Sequence, residues 1–224
     1  MSTSTTSTKD LIVSVCIQTY QHKDYIVEAI ESVLMQKTDF IFEILIGEDE
    51  STDGTRDICI DYAKRYPTKI RLFLNSRKNV ISINGQPTGR WNLLNNIKNA
   101  NGKYIALLPG DDYWTDPLKL QKQVDFLENY TDFSGCFHET QLVMRDGKLG
   151  KVYGKNAKLI MTAEDTFASL SPFHSSSFIF RNDLGELPDW YSYVVSADMA
   201  LFSICASYDY FFTFIYYRLF IRIS

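Results

Sequence analysis

A strand, a polar loop and an amphipathic helix follow one another repeatedly in the first half of this 224-residue chain. Residues 11–17 are apolar and β-branched, and apolar residues then recur at helical spacing over 25–34. The same alternation predicts strands at 42–47, 70–74 and 104–108, with helices between them. Strands that alternate with helices form right-handed crossovers and a mostly parallel sheet with helices on both faces. The pattern therefore predicts an α/β fold.

The second half of the chain is less regular and predicts a small antiparallel part. A turn at Asp146-Gly147 joins residues 136–144 and 148–153 into a hairpin. A further strand is predicted at 176–181. The aromatic segment 208–223 leaves two alternatives open: a core strand, or an exposed contact with a membrane or with the second subunit of a homodimer.

Composition excludes several classes of protein. The formal net charge of -4 argues against a nucleic-acid-binding protein, which usually gathers a basic excess on one face. No apolar run reaches the roughly 20 residues that cross a bilayer, and the Ser/Thr-rich residues 1–10 lack the pattern of a signal peptide. The four cysteines have no metal-ligand spacing, which predicts free thiols. We expect a disordered leader at 1–10, a single domain at 11–224 and a cytoplasmic location, with peripheral contact at the inner face of the membrane left open.

Two adjacent acids, Asp111 and Asp112, directly follow the strand predicted at 104–108. In a mostly parallel sheet, ligands bind beyond the carboxyl ends of the strands, and the polar segments 19–22 and 48–53 would lie at the same edge. Mg²⁺ and similar hard cations bind through one or two carboxylates together with substrate phosphates. Acids after a strand also form turns and helix caps, so the pair by itself leaves both roles open.

The loops after the first and second strands offer groups that suit a nucleotide base. Asp49 leaves the end of the second strand, where a carboxylate can accept the imide N–H of uracil. Tyr20 can offer a ring face to the base, and packing is the alternative for this aromatic residue. Ser51, Thr52 and Asp53 are expected to be structural, as a turn and a helix cap.

Three motifs give the chain a resemblance to a known family. They read Val-Cys-Ile-Gln-Thr-Tyr at 15–20, Glu-Asp-Glu-Ser-Thr-Asp-Gly-Thr at 48–55, and Gly-Lys-Tyr-Ile-Ala at 102–106 followed by Gly-Asp-Asp-Tyr-Trp at 110–114. In this order and spacing the chain resembles a family 2 glycosyltransferase of the GT-A (Rossmann-like) fold.

The resemblance implies an inverting, hexosyltransferase-like enzyme that uses a nucleotide-sugar donor, usually a UDP-sugar, and Mn²⁺ or Mg²⁺. It implies a saccharide or lipid-linked saccharide acceptor and a role in bacterial cell-surface polysaccharide or glycoconjugate synthesis. Residues 11–116 would then form the nucleotide-sugar-binding half and residues 117–224 the acceptor-side half, with truncation of the latter left open.

Carried onto this chain, the family's motifs assign roles to five residues. Thr19 and Tyr20 would line the base pocket, and Asp49 would bind uracil. Asp111 and Asp112 would form the DXD-type metal site, with Asp112 as the more direct ligand and Asp111 nearer the ribose or sugar. The ion would neutralise charge on the departing diphosphate.

An inverting transfer also needs a base that takes the proton of the acceptor hydroxyl. In the family this carboxylate comes from the start of a helix in the C-terminal third, and Asp198 stands in a comparable position. A helix N-cap is the alternative role for Asp198. Asp189 is the reserve candidate for the base. His174 is expected either to contact the acceptor or to satisfy a loop, and His138 to be structural.

Three positions depart from the family pattern. Pro109 stands where many relatives have an acid, residues 93–94 are Leu-Leu instead of Arg-Asn, and Phe220 replaces a histidine. Asn92 or Asn95 is the suggested substitute for the missing asparagine. The departures keep open a nucleotide-sugar-binding protein without transfer activity. A nucleotidyltransferase is disfavoured because no glycine-rich, basic loop follows the first strand.

Overall fold

The strands and helices predicted for the first half of the chain are present in the predicted order. The computed structural model describes residues 11–168, 172–208 and 210–222, so the predicted leader at 1–10 lies outside the described residues. The helices are α1 Ile26–Leu34, α2 Thr55–Arg65, α3 Arg90–Asn99, α4 Lys119–Asn129, α5 Ala163–Ala168 and α6 Ala197–Tyr208. The strands are β1 Leu11–Thr19, β2 Ile41–Glu48, β3 Ile70–Leu74, β4 Ser82–Ile83, β5 Gln86–Pro87, β6 Tyr104–Leu107, β7 Phe133–Val143, β8 Leu149–Tyr153, β9 Ile160–Met161, β10 Ile179–Arg181 and β11 Tyr210–Arg222.

One mixed sheet holds nine of these strands, in the order β3-β2-β1-β6-β10-β7-β11-β9 with β8 paired to β7. The four strands from the first half, β3, β2, β1 and β6, are parallel throughout. β10 runs antiparallel to β6 and β7, and β8 and β9 add further antiparallel pairs. The predicted α/β architecture, with a parallel first half and antiparallel strands in the C-terminal part, is confirmed.

Alternate side chains of the central strand β1 pack against helices on opposite faces of the sheet, as the pleat of a strand requires. Val15 and Ile17 belong to the core that includes α1, α2 and α4, whereas Cys16 belongs to the core that includes α3 and α6. All three side chains are fully buried. The four cysteines are buried free thiols, as predicted.

The register of the parallel strands brings three loops to one edge of the sheet. Thr19, the last residue of β1, lies opposite Glu48, the last residue of β2, and β6 pairs with β1 up to Cys16. Backbone hydrogen bonds continue beyond the strands: Asp49 N–H donates to the Thr19 carbonyl at 3.1 Å, and Gly110 N–H donates to the Gln18 carbonyl at 2.9 Å. The loops after β1, β2 and β6 are therefore held side by side.

Two regions differ from the sequence prediction. The connection between β3 and α3, expected to be only polar loop, contains a 3₁₀ turn at Arg77–Asn79 and the β4–β5 hairpin. The strand predicted at 176–181 begins only at Ile179, because Ser175–Ser177 forms a 3₁₀ turn. In that turn the Ser177 hydroxyl donates to the His174 carbonyl at 2.6 Å, a local bond that competes with strand formation.

The C-terminal aromatic segment forms a strand. β11 runs parallel to β7 and antiparallel to β9, which agrees with the strand alternative for this segment. His138 lies buried in β7, where burial lowers its pKa to about 3, in keeping with the predicted structural role. Within the described ranges, none of the helices is long and apolar enough to cross a membrane.

Candidate functional site

Asp112 places a buried carboxylate at the edge where the three loops meet. Its Oδ2 atom has no hydrogen-bond partner among the described residues, and Nδ1 of His174 lies 3.5 Å away. Burial raises the pKa of Asp112 well above its ordinary value, and the charges of Asp111 and Asp198 raise it further. A buried carboxylate oxygen beside like charges and without a proton donor is stabilised by a bound cation. The residues at this position therefore fit a hard divalent ion.

Asp111, the second acid of the pair, is half-buried and faces the loop after β1. Its Oδ2 atom lies 4.0 Å from Nε2 of His22, and Nδ1 of His22 lies 3.2 Å from the Thr19 hydroxyl. Burial lowers the pKa of His22, against the opposing charges of Asp111 and Asp53. When the ring proton is on Nε2, the nitrogen that faces Asp111, Nδ1 can accept the proton of the Thr19 hydroxyl. The contact of Thr19 with His22 was not predicted from the sequence.

The acidic loop approaches Thr19 so closely that only glycine fits at position 110. A Cβ atom there would stand 2.7 Å from Oγ1 of Thr19 and 2.9 Å from Nδ1 of His22. Neither atom can move aside freely, because the Thr19 hydroxyl and Nδ1 of His22 are hydrogen-bonded to each other. Gly110 therefore sets the distance between the loop after β1 and the acid pair.

Asp49 and Tyr20 lie at the other end of the site and share a neighbour that the sequence analysis missed. The Arg77 guanidinium lies 4.0 Å from the centre of the Tyr20 ring, which is 39% exposed. Asp49 is buried and accepts a hydrogen bond from Asn75 Nδ2 at 3.1 Å. Burial raises the pKa of Asp49, while Asn75, Asn92 and the charge of Arg77 lower it. Arg77 and Asn75 come from the connection after β3, where no periodic pattern marks them.

The rest of the loop after β2 is structural, as predicted. The Ser51 hydroxyl accepts from Gln21 N–H at 2.9 Å, and the Asp53 carboxylate accepts from Lys23 N–H and from Thr55 N–H, both at 3.0 Å. These bonds tie the loop after β2 to the loop after β1, and Asp53 also contacts the first residue of α2, whose N-cap is Gly54. They hold both loops in place without using the carboxylate of Asp49.

Asn92, one of the two suggested substitutes for the missing motif asparagine, reaches the site from α3, and its side-chain hydrogen bond helps to lower the pKa of Asp49. Its Nδ2 donates to the Gly47 carbonyl at 2.8 Å, and Asn96 Nδ2 donates to the Ile17 carbonyl at 3.0 Å. The Oδ1 atoms of both side chains are buried and have no hydrogen-bond partner within the described part of the chain. Asn95 Nδ2 donates to Asn75 Oδ1 at 3.5 Å, and Asn95 Oδ1 accepts from Asn99 Nδ2 at 3.3 Å.

Asp198 lies in the first turn of α6, close enough to Asp112 for its charge to raise the pKa of that residue. The N-cap alternative is wrong, because the Ser196 hydroxyl accepts the Met199 N–H at 3.4 Å and the helix begins at Ala197. Burial raises the pKa of Asp198, while Ser175 and Arg90 lower it.

Asp189 and His174, the other residues considered for the acceptor side, differ in position. Asp189 is exposed at the start of the 3₁₀ turn Asp189–Ser192. His174 lies beside Asp112, and its Nδ1 is 2.9 Å from the Ser176 hydroxyl. Burial lowers the pKa of His174 to about 4, so its ring is neutral near pH 7.

The protein side chains alone do not complete a metal coordination shell. Among the residues that the structure describes, no group of three or more His, Cys, Asp or Glu side chains is arranged to hold a metal ion. A divalent ion held by one or two carboxylates takes its remaining ligands from substrate phosphates and water. The site thus suits a cation that arrives with a phosphate-bearing ligand.

Comparison with known proteins identifies the family. The model described as Glycosyl transferase family 2 matches residues 14–182. The UDP-Glc:alpha-D-GlcNAc-diphosphoundecaprenol beta-1,3-glucosyltransferase WfaP of Escherichia coli is 35% identical over 138 residues, which cover 59% of this chain and 49% of that protein. The chain spans about half the length of the curated relatives that it matches.

Solved structures share the fold at lower sequence identity. S. aureus TarS 1-349 in complex with UDP-GlcNAc superposes with a TM-score of 0.65 at 20% identity, over 96% of this chain and 59% of that chain. The mannosyltransferase PcManGT from Pyrobaculum calidifontis, in complex with GDP-Man and Mn2+, gives 0.65 at 18% identity, over 95% and 57% of the two chains. The predicted GT-A fold is confirmed.

Proposed function

The chain belongs to glycosyl transferase family 2, and on that premise we propose that it transfers a sugar from a UDP-sugar to an acceptor hydroxyl with inversion. The observation that carries this proposal is the buried, unpartnered Oδ2 of Asp112 at the same sheet edge as Asp49 and Asp198. One edge would then hold a base-binding group, a cation-binding group and a proton acceptor. These are the parts that a transfer from a nucleotide sugar needs.

The donor base would bind at the end of the site that holds Tyr20 and Asp49. The half-exposed ring of Tyr20 offers a face for stacking, and the carboxylate of Asp49 would accept the N3–H of uracil. The Arg77 guanidinium between them supplies a positive charge for the base or the diphosphate. The UDP-GlcNAc complex of TarS, a protein of the same fold, supports a uridine donor.

Asp112, assisted by Asp111, would hold Mn²⁺ or Mg²⁺. The ion, when bound, neutralises charge on the departing diphosphate. The carboxylate of Asp112 is buried at the position where the ion would bind. Asp111 would lie nearer the ribose or the sugar of the donor. The Mn2+ complex of PcManGT supports a divalent ion in this fold.

Asp198 would act as the general base for the acceptor hydroxyl. Its raised pKa makes it a stronger base than an ordinary aspartate, because a carboxylate of higher pKa holds a proton more tightly. A base acts only when deprotonated, and Arg90 and Ser175, which lower this pKa, favour the deprotonated carboxylate. No covalent intermediate is needed for inversion.

The acceptor would be a saccharide or a lipid-linked saccharide, bound by the half of the chain after residue 116. WfaP, named as a glucosyltransferase that acts on alpha-D-GlcNAc-diphosphoundecaprenol, supports this class. Such an acceptor implies work at the inner face of the membrane, in the assembly of bacterial surface polysaccharides or glycoconjugates.

A thermal-shift screen tests the donor and the ion together. UDP, GDP and CDP and their sugars are added with and without Mn²⁺, and the melting temperature is measured. We expect stabilisation by UDP compounds that depends on the metal, because a ligand that binds only the native state raises apparent stability. An equal response to all nucleotides, or no response to any of them, contradicts the proposal.

A further inference from the structure

A short turn before α6, here called the aromatic turn and comprising residues 188–196, exposes large apolar side chains beside the candidate base. Trp190 is 47% exposed, Tyr193 78% and Val195 80%. The helix that begins directly after this turn carries Asp198 in its first turn. Tyr191, between the exposed rings, is buried, and the charge of Asp198 is among the causes that raise its pKa after burial itself. The exposed rings therefore belong to the segment that leads directly into the helix carrying Asp198.

The aromatic turn is fixed to the donor-side half of the sheet by a buried arginine. Arg90, the first residue of α3, donates from Nη1 to the Ser192 carbonyl at 3.1 Å and from Nη2 to the Val195 carbonyl at 3.5 Å. Its guanidinium lies 5.9 Å from the centre of the Tyr191 ring. A buried arginine that donates to two carbonyls of one turn holds that turn in a single position. The exposed aromatic rings are thus presented on a rigid support.

The cluster beneath the turn suits a polar ligand better than a membrane. Arg90 Nε and the Tyr191 hydroxyl are buried and have no hydrogen-bond partner in the described part of the chain. Residues 188–196 contain no Lys or Arg, and their only charged residue is Asp189. Anionic bilayers attract basic segments, so this turn lacks the charge for such a contact. Exposed aromatic rings on a turn without basic residues match the apolar faces of a sugar ring.

We propose that the aromatic turn is the acceptor subsite: a saccharide ring lies against Trp190 and Tyr193, and Arg90 positions the turn so that an acceptor hydroxyl reaches Asp198. The proposal rests on the glycosyltransferase function proposed above. It names the surface that selects the acceptor, whereas the donor and the ion bind at the other two loops.

Fluorescence tests binding without requiring turnover. The chain has three tryptophans, so saccharide binding is followed by emission in the wild type and in Trp190→Phe, with UDP and Mn²⁺ present. The probes are the methyl α-glycosides of glucose, galactose, mannose and N-acetylglucosamine. At least one glycoside should shift the wild-type emission and leave that of Trp190→Phe unchanged. A shift that persists in Trp190→Phe, or no shift with any glycoside, overturns the proposal.

Kinetics then test the role of the rings. For a glycoside that accepts sugar, Trp190→Ala/Tyr193→Ala should raise the acceptor KM by about tenfold or more and leave the KM for the UDP-sugar and its hydrolysis by water unchanged. Tyr193→Phe, which keeps the ring, should retain the wild-type acceptor KM. Tyr130→Ala, an exposed aromatic at the end of α4, should change neither constant.

Arg90→Lys keeps the charge but loses the paired carbonyl contacts, and it should raise the acceptor KM in the same direction. An unchanged acceptor KM in the double variant overturns the subsite. With that result, loss of vesicle binding by the double variant, measured with phosphatidylethanolamine and phosphatidylglycerol, would show that the turn contacts a membrane. Dissociation of a wild-type dimer by the same substitutions, measured by sedimentation, would show that the turn contacts a second copy of the chain. If UDP neither binds nor is turned over as a sugar donor, the proposed function fails, whatever the glycosides do.

Discussion

Nδ1 of His174 lies 3.5 Å from Oδ2 of Asp112, the buried carboxylate oxygen that has no hydrogen-bond partner within the described residues. The imidazole is neutral near pH 7 because burial lowers its pKa to about 4. It therefore gives Asp112 no counter-charge. The carboxylate is held by the fold in a position that is unfavourable until a cation arrives, as expected for a site that trades stability for ligand binding.

Asp112→Asn removes the charge at nearly constant size. Because burial raises the folded-state pKa of Asp112, its protonated form stabilises the metal-free protein at low pH relative to its ionised form. This stabilising contribution is lost as pH rises through the folded-state pKa. We expect metal-free Asp112→Asn to melt at a higher temperature than the wild type at pH 8, where about 1 kcal/mol corresponds to about 2–4 °C. Metal-dependent stabilisation by UDP should disappear in the same variant. A lower melting temperature with retained metal response contradicts the assignment.

Asp198→Asn tests the general base against the reserve candidate. Loss of a general base costs about 10²–10⁴-fold in rate, so we expect kcat for sugar transfer to fall by this factor while UDP affinity, measured by calorimetry, is retained. Asp189→Asn makes the same substitution at the reserve candidate, which is exposed, and should leave kcat close to that of the wild type. If Asp189→Asn lost the activity and Asp198→Asn kept it, the roles would be reversed.

Arg77→Ala removes the guanidinium that stacks on the Tyr20 ring and whose charge lowers the pKa of Asp49. We expect UDP to bind about tenfold more weakly, the equivalent of about 1.4 kcal/mol, because a cation over an aromatic face and near a diphosphate contributes about that much. Isothermal titration of UDP measures the change. Lys78→Ala, the exposed basic neighbour, should leave UDP affinity within twofold of the wild type; equal losses in both variants would point to net charge instead.

Gly110→Ala tests the close approach of the acid loop to Thr19. The added methyl would stand 2.7 Å from Oγ1 of Thr19, so the loop must move, at a cost of about 1–3 kcal/mol in unfolding free energy. We expect lower stability and weaker metal-dependent UDP binding. Gly89→Ala, where a Cβ meets nothing within 4 Å, is the control and should change both quantities little. Wild-type behaviour of Gly110→Ala would show that the loop is free to shift.

His138 predicts a component of acid instability. Its folded-state pKa is lowered from 6.5 to about 3 by burial, so the neutral ring stabilises the fold above pH 6.5 and this contribution is lost as pH falls towards 3. Between pH 7 and pH 5 the wild type should lose about 2 kcal/mol that a non-titrating His138→Leu variant does not lose. Denaturant unfolding at the two pH values measures the difference. Parallel losses in both proteins would assign the acid sensitivity to other groups.

Prediction from sequence succeeded where a pattern is periodic or local. The alternation of apolar runs predicted β1, β2, β3 and β6 and the helices between them, since burial of one or both faces of an element gives its apolar residues a regular spacing. The loops after β1, β2 and β6 follow from that order, because parallel strands end at one edge. The structural role of Ser51 and Asp53 in the turn was also predicted, since their hydrogen bonds stay within this loop or join it to the neighbouring loop, whereas the N-cap of α2 is Gly54.

The residues that the sequence analysis missed act across distance. Arg77 and Asn75 lie in a connection without periodicity, and only the register of β2 against β3 brings them to Asp49. Arg90 was invisible for the same reason: its partners, the carbonyls of Ser192 and Val195, lie more than a hundred positions later. Backbone acceptors leave no signal in side-chain composition.

The sequence by itself determined the order of strands and helices along the first half and which loops carry the acids, because hydrophobic burial and strand polarity act on consecutive residues. Only the tertiary structure decided that Oδ2 of the buried Asp112 has no hydrogen-bond partner among the described residues, that Ser196 rather than Asp198 caps α6, and that Arg90 joins the two halves of the site. The physical reason is that burial, charge proximity and hydrogen-bond completion depend on residues far apart in the chain, which packing alone brings together.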